Sequence, residues 1–254
     1  MLEQFKKQNK RVRHYKWWQI SCVIALVIIV IGGVSIGSSV FYIIKEGPRI
    51  ESVLLGPSIK YLSNKEENSY VALEAIPENL KDAFIAIEDE RFYEHNGIDL
   101  KAIVRAMAVN LQTGSYSQGG STITQQVIKN CVLTPDKNIR RKIQEQYLAL
   151  QLEKIYDKDK ILEYYLNTIA LGQGTVGVQQ AAKYYFDKEV SQLSLAESVV
   201  LASITQAPSR YNPISDSEAN WERVQVVLQK MTEQDLITEE EKQVALSENP
   251  YKVK

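Results

Sequence analysis

The sequence predicts a mainly α-helical protein in which one N-terminal transmembrane helix precedes a helical domain. Two observations lead to this prediction. The run Ile20–Ile44 contains no charged side chain. In the rest of the chain, apolar residues recur every three or four positions, a spacing typical of helices with one buried face. Only Ile50–Leu55 and Tyr70–Leu73 indicate short extended segments.

The uncharged run is long enough to cross a membrane, since about 20 helical residues span the ~30 Å hydrocarbon core. The tail before it carries six cationic side chains and one acid between Met1 and Lys16. Positively charged flanks tend to remain cytoplasmic. We therefore predict a cytoplasmic tail over residues 1–19, a transmembrane helix over 20–44 and an extracytoplasmic domain over 45–254. A cleaved signal peptide is the alternative, but its apolar region is normally only about 7–15 residues.

Two helices are predicted in the first part of this domain. Pro77 can open the first, because proline is favoured at a helix start, and this helix delivers Glu88 at its C-terminal end. Asp99 can cap the second, because its side chain can accept a hydrogen bond from a free N–H group of the first turn. The second helix carries an apolar stripe of four residues, Leu100, Val104, Met107 and Leu111.

Later helices are predicted from capping pairs and from periodicity. Three pairs have capping-box spacing, namely Thr122 with Gln125, Ser194 with Glu197, and Thr238 with Glu241. A further helix, from about Asn138 to Lys154, has apolar residues on two faces, so we predict that it runs through the interior. Glu145 would then be partly buried beside Arg141 and Lys142.

Two short motifs carry most of the chemical information. The first, Glu88 to Gly97, places a carboxylate at the end of an apolar helix. The second, Gly119 to Gln126, is a glycine turn that opens a helix carrying amides. Asp89 and His95 of the first motif are expected to be structural, because buried polar groups of this kind usually bind neighbouring backbone.

Cations follow the second motif closely, at Lys129, Lys137, Arg141 and Lys142. Such a cluster suits a polyanion, and diphosphate is the simplest candidate. For any one of the four, a solvated surface side chain is the alternative. The full chain has a formal net charge of −1 and a basic tail, so the predicted exported part is acidic. This balance argues against a nucleic-acid ligand.

The two motifs, in this order and behind a membrane helix, resemble those of the peptidoglycan glycosyltransferase domain of family 51. That domain occurs in class A penicillin-binding proteins and in monofunctional transglycosylases. Later segments resemble the family's third, fourth and fifth motifs; they are Arg141–Glu145, Lys160–Asn167 and Ala196–Pro213. The resemblance implies a lysozyme-like large lobe and a small membrane-associated jaw lobe. No penicillin-binding domain follows in the sequence, so we expect the monofunctional type.

The resemblance also implies a reaction, the polymerisation of lipid II into β-1,4 glycan strands with inversion and release of undecaprenyl diphosphate. Glu88 would be the general base for the acceptor hydroxyl, and Glu145 would orient the cations or the attacking sugar. The implied substrate-binding residues are Ser121, Gln125, Gln126, Lys129, Lys137, Arg141 and Lys142.

No obligatory cofactor is expected, although a divalent cation, Mg²⁺ or Mn²⁺, assists some family members. The expected partners are lipid II, the growing lipid-linked glycan chain, the membrane and other cell-wall synthesis proteins. Two alternatives stay open. A lysozyme-like lytic enzyme would need a protonated acid, which nearby cations disfavour. A non-catalytic, membrane-anchored module that binds lipid diphosphates would not need both carboxylates.

Overall fold

The computed structural model of the protein describes residues 32–50, 69–114, 119–131, 138–248 and 250–251. The chain divides into two compact units, Met1–Gly47 and Pro48–Lys254. In the first unit, residues 32–45 form a helix, α1. No helix within the described ranges is both long and apolar enough to span a membrane. Residues 20–31 of the predicted transmembrane helix over 20–44 and the whole tail over 1–19 lie outside those ranges, so both stay predictions.

The second unit is built from helices, and its described part contains no β-strand. The α-helices are α2 Glu78–Glu88, α3 Leu100–Thr113, α4 Ile123–Cys131, α5 Ile139–Leu152, α6 Lys158–Thr168, α7 Val178–Phe186, α8 Leu195–Ile204, α9 Ser217–Glu233 and α10 Glu239–Ser247. The mainly α prediction is confirmed. The predicted segment Tyr70–Leu73 is unpaired chain that leads into a 3₁₀ turn, and residues 51–55 of the other predicted extended segment lie outside the described residues. The division into a lysozyme-like lobe and a jaw lobe stays a prediction.

The helices start where the capping residues predict. The residue before α2 is Pro77, and the Asp99 carboxylate accepts a hydrogen bond from the N–H of Ala102 at the start of α3, at 3.0 Å. All three predicted capping boxes form, at Thr122 with Gln125, Ser194 with Glu197, and Thr238 with Glu241. Because each box satisfies two backbone N–H groups at a helix end, these starts are fixed by local sequence.

The core of the second unit surrounds α8. Every residue from Ala196 to Ile204 is buried, as expected for a helix that is apolar on all sides. Helices α2 and α9 both pack against α8, and α2 contributes the fully buried Leu80 and Phe84. This packing brings the C-terminal ends of α2 and α8 together, which places Glu88 beside Thr205.

Helix α5 departs from the prediction of an interior helix. One face is buried, through Glu145, Leu148 and Leu152, but on the opposite face Ile139 is 76% exposed and Leu150 is 39% exposed. The predicted interior location is therefore wrong. The periodicity of the sequence shows which faces of a helix are apolar. Whether an apolar face is buried depends on which other elements pack against it.

Helix α3 also presents an apolar face to solvent. The four stripe residues are highly exposed, with Leu100 at 72%, Val104 at 66%, Met107 at 60% and Leu111 at 82%. Ala106 is the buried residue of this helix. A contiguous exposed apolar face of this kind usually marks a surface that binds a protein, a ligand or a membrane.

Candidate active site

Glu88 lies at the C-terminal end of α2, in the wall of a cavity of about 550 Å³. The cavity is lined by residues of both motifs, by the chain that follows α8, and by α9. Among the predicted site residues, Glu88, Ser121 and Gln126 line it. The structure therefore brings the two motifs together around one carboxylate.

The Glu88 carboxylate has a hydrogen-bond donor on each oxygen. The Gln126 side-chain amide donates to Oε2 at 2.7 Å, and the Thr205 hydroxyl contacts Oε1. The Arg223 guanidinium lies near enough for its charge to interact with Glu88. Burial lowers the pKa of Arg223, and the neighbouring Tyr211 and Glu88 oppose that shift. Glu88 is thus a carboxylate in the cavity wall whose surroundings place it as the candidate general base.

Asp89 and His95 hold the first motif against the second. His95 Nε2 donates to the Asp89 carboxylate at 2.9 Å, while His95 Nδ1 accepts from the N–H of Gly97 at 3.2 Å. Asp89 also accepts from the N–H of Ile123, the first residue of α4, at 2.9 Å. The contacts of both residues match the structural role expected of them. They position α4, and with it Gln126.

A glycine lets the second motif pass close to α3. A β-carbon added at Gly120 would lie 3.0 Å from the α-carbon of Ile103, closer than side-chain atoms normally approach a backbone. The turn at Gly119 and Gly120 can therefore line the cavity between α3 and the start of α4.

Glu145 organises two cations next to the cavity. Its carboxylate is almost fully buried, at 2% exposure, and it accepts hydrogen bonds from Arg141 at 3.2 Å and from Lys142. The Lys142 ammonium also donates to the Ser121 hydroxyl at 2.8 Å. Glu145 does not line the cavity itself. A buried carboxylate needs such hydrogen-bond partners. Lys142 binds both Glu145 and Ser121, and so connects the buried carboxylate to the cavity wall.

Arg141 and Lys142, which Glu145 holds, do not line the cavity themselves, and neither do two further predicted binding residues, Gln125 and Lys129. Gln125 is buried, and its Oε1 accepts from the N–H of Thr122, so its observed contact is a helix cap. Lys129 is exposed one turn after Gln126 on α4 and does not line the cavity. Lys137 lies outside the described residues. Substrate binding by the predicted side chains, whether or not they line the cavity, stays a prediction.

Sequence reasoning missed three cavity residues, Thr205, Arg223 and Lys230. Thr205 lies 117 positions from Glu88, and no local spacing relates the two. Arg223 and Lys230 could have been found, because residues seven positions apart lie on the same face of a helix after two turns.

The segment that resembles the family's fourth motif, Lys160–Asn167, has a structural role. Two of its side chains fasten residues 70–73 to α6. Glu163 accepts from the Tyr70 hydroxyl at 2.5 Å and from the N–H of Leu73 at 2.9 Å. Asn167 accepts from the N–H of Val71 at 2.9 Å. Burial opposes the ionisation of Glu163, but hydrogen bonds from Lys160 and Tyr70 leave its pKa lowered.

A divalent cation was expected only as an aid. Within the ranges that the structure describes, no group of three or more His, Cys, Asp or Glu side chains is arranged to hold a metal ion. Participation of Mg²⁺ or Mn²⁺ stays a prediction.

Comparison with known proteins identifies the family of this chain. The family model described as transglycosylase matches residues 56–232. Penicillin-binding protein 1F of Bacillus subtilis is 46% identical over 181 residues, which cover 71% of this chain and 25% of that protein. Penicillin-binding protein 1A of Aquifex aeolicus is 45% identical over 194 residues, 74% of this chain and 27% of that protein.

A third relative, penicillin-binding protein 1A of Clostridium perfringens (strain 13), is 42% identical over 267 residues, which cover 96% of this chain and 39% of that protein. The chain thus spans well under half the length of these relatives. The family model nevertheless covers most of the chain, including both motifs around Glu88. This chain belongs to the transglycosylase family.

Proposed function

We propose that this protein is a peptidoglycan glycosyltransferase that polymerises lipid II into β-1,4 glycan strands. Membership of the transglycosylase family supports the reaction class, and the relatives are named penicillin-binding proteins. One observation carries the proposal for this chain. Glu88 is a carboxylate with a donor on each oxygen, in the wall of a cavity that also holds cationic side chains.

In the proposed reaction Glu88 is the general base. It accepts the proton of the acceptor's 4-hydroxyl while that oxygen attacks C1 of the donor's muramic residue. The bond from C1 to the diphosphate oxygen breaks, and its electron pair leaves with undecaprenyl diphosphate. Attack opposite an α-linked leaving group inverts C1 and gives the β linkage. General base catalysis of this type contributes typically ~10²–10⁴-fold.

Cations neutralise the charge that develops on the leaving diphosphate. Arg141 and Lys142 are held by Glu145, and Lys142 reaches the cavity wall at Ser121. Arg223 and Lys230 line the cavity from α9, and Arg223 Nε has no hydrogen-bond partner among the described residues. A donor fixed in place before the reaction stabilises developing charge at little reorganisation cost. Lys129 and Lys137 are proposed as further members of this set.

The proposed location is the cell membrane, with one pass, a cytoplasmic N-terminus and an extracytoplasmic catalytic domain. The uncharged run over residues 20–44 supports an anchor. The exposed stripe of α3 supports a second membrane contact, because apolar residues on one face of a helix can enter the headgroup region. This contact is the proposed membrane-associated jaw. Other cell-wall synthesis proteins are proposed partners.

A lytic enzyme and a binding module are the competing functions. A lytic enzyme needs a carboxylic acid kept protonated in an apolar pocket. The surroundings of Glu88 are polar instead, because an amide and a hydroxyl contact its two oxygens and a guanidinium lies nearby.

The deciding experiment incubates the purified full chain first with lipid II and then with finished glycan, and resolves product length on a gel. Growth of polymer supports the proposal. Shortening of finished strands would support the lytic enzyme, and no change in either substrate would support the binding module.

A further inference from the structure

The Thr205 hydroxyl lies between two acceptors. Its Oγ1 is 2.9 Å from the carbonyl oxygen of Ala202, one turn earlier in α8, and it also contacts Glu88 Oε1. A hydroxyl has one proton to donate and lone pairs with which to accept. Thr205 can therefore donate to Ala202 or to Glu88, but not to both at once.

We propose that Thr205 is a positioning residue for Glu88 that serves both protonation states of the carboxyl group. While Glu88 is ionised, Thr205 donates to Oε1. After Glu88 has taken the acceptor's proton, the new carboxyl O–H donates to Thr205 Oγ1, and Thr205 turns its own proton toward the Ala202 carbonyl. This inference rests on the proposed role of Glu88 as general base.

The exchange needs only a rotation of hydroxyl protons and no movement of heavy atoms. The O–H bond of the acceptor breaks and an O–H bond on Glu88 forms, whereas Thr205 neither gains nor loses a proton. Gln126 cannot do the same, because its amide nitrogen donates but does not accept. Its hydrogen bond to Oε2 can therefore persist whether Glu88 is ionised or protonated, but it offers no acceptor to the O–H of protonated Glu88.

Other charged and titratable groups line the cavity or interact with Glu88, and substitution of Thr205 alters none of these side chains. They are Asp89 and Glu90 of the first motif, Asp99 and Arg105 at the start of α3 and within it, Tyr165 of α6, and Arg223 and Lys230 of α9. Tyr165 is fully buried, and burial raises its pKa, so it stays neutral over the useful pH range. A change in the titration of Glu88 in a Thr205 variant can then be assigned to the lost hydroxyl.

The test compares Thr205→Val, which keeps the shape without the hydroxyl, with Thr205→Ser, which keeps the hydroxyl. Thr232→Val is the matched control, because the Thr232 hydroxyl makes the same bond to a carbonyl one turn earlier, that of Leu228 at 3.0 Å. Turnover of lipid II is measured against pH with the full chain in detergent.

We expect Thr205→Val to lower turnover by about 10- to 100-fold, the range for loss of a hydrogen bond to a charged group. The acidic limb of its pH–turnover profile should move to higher pH, because a hydrogen bond to the carboxylate is stronger than one to the neutral acid. Thr205→Ser and Thr232→Val should behave like the unsubstituted chain. Equal losses in the Val and Ser variants would overturn the inference, since they would point to packing.

A second measurement does not depend on turnover. The Glu88 carboxyl is titrated by carbon-13 NMR, with its signal identified by its absence in Glu88→Gln. Infrared difference spectra then report the C=O stretch of the protonated group. The Val variant should titrate at higher pH and absorb at higher frequency, because its carboxyl O–H has lost an acceptor. Unchanged values in both spectra would overturn the inference.

The spectra also separate the two proposals. A chain that shows the Thr205-dependent titration but does not polymerise lipid II would refute the proposed function while retaining the hydrogen-bond exchange. A chain that polymerises lipid II with no spectral change in Thr205→Val would retain the function and refute the exchange.

Discussion

The carboxylate of Glu88 and the side-chain amide of Gln126 are joined by a hydrogen bond of 2.7 Å across 38 positions of sequence. Next to it, the Asp89 carboxylate accepts from the backbone of Ile123 at the start of α4. Two adjacent residues at the end of α2 therefore bind two points within the first turn of α4. Because the pair of bonds fixes both the distance and the orientation of that helix end, the base and its amide donor are held as one unit.

Glu88→Gln should abolish polymerisation and leave the fold intact. The amide keeps the shape and the hydrogen-bonding neighbours but cannot take up the acceptor's proton, so we expect a loss of about 10²–10⁴-fold. Lipid II turnover and the thermal unfolding midpoint check the two halves of this prediction. Glu94→Gln is the control, because Glu94 is an exposed acid of the same motif outside the cavity lining. Near-normal turnover in Glu88→Gln would remove Glu88 from the mechanism.

Lys142→Ala should reduce turnover and also cost stability, by about 1–3 kcal/mol, because the buried Glu145 loses a hydrogen-bonded partner. Lys160→Ala is a closely matched control. Both lysines pair with a buried glutamate three residues later, and their side chains are 34% and 40% exposed. Denaturant unfolding should show similar losses for the two variants. Turnover per folded molecule should fall only in Lys142→Ala; an equal fall in both would contradict a role for Lys142 in binding diphosphate.

Arg223→Gln should lower turnover by about 10-fold or more, since a hydrogen bond or ion pair to a charged group is lost from the cavity. Arg210→Gln provides the comparison. The two guanidinium groups lie 6.0 and 5.4 Å from the ring centre of the same residue, Tyr211, but only Arg223 lines the cavity. Steady-state assays at several lipid II concentrations check the prediction. Indistinguishable variants would place Arg223 outside the substrate site.

The stabilising effect of Glu163 should depend on pH. Its folded-state pKa is lowered from the ordinary 4.5, so its contribution is present above that value and is lost as the pH falls through the folded-state pKa. Glu163→Gln should therefore be less stable than the unsubstituted chain near neutral pH, and the gap should narrow in acid. Urea unfolding at a series of pH values measures the gap. A gap that widens below 4.5 would have the wrong sign.

Removal of residues 1–44 should leave a folded domain that still binds membranes through α3. Substituting Val104 and Leu111 by Glu should then weaken binding without loss of fold, because these side chains are 66% and 82% exposed. Liposome flotation measures binding, and circular dichroism checks the fold. Val244→Glu serves as control, since Val244 is 62% exposed on α10. If the truncated, folded protein does not float, the anchor alone supplies membrane contact.

Helix starts could be predicted from the sequence because their causes are local. A capping box needs only two side chains three positions apart, and all three predicted boxes form. The contact of Thr205 with Glu88 could not be predicted in this way, since it exists only because α2 packs against α8. The exposed face of α5 was missed for a related reason, because an apolar pattern does not say whether another element covers it.

The resemblance to a family pointed to Glu88 and to the cations of α5 as candidate site residues. It did not predict which side chain makes which contact. Gln125 and Gln126 are neighbours in one motif, yet the first caps its own helix and the second binds Glu88. Successive helical residues point about 100° apart, so adjacent amides face different surroundings. Sequence alone could assign both to the substrate because it does not show which face of α4 meets α2.

The fastening of residues 70–73 to α6 has a mechanical consequence. Tension that reaches Tyr70 along the chain from Ser69 is borne first by the bonds that Glu163 and Asn167 make to Tyr70, Val71 and Leu73. These bonds lie side by side along a short stretch, so they share a load and must break together. A pull on the chain at Ser69 therefore strains this fastening before it reaches Glu88, so the geometry of the carboxylate is protected from it.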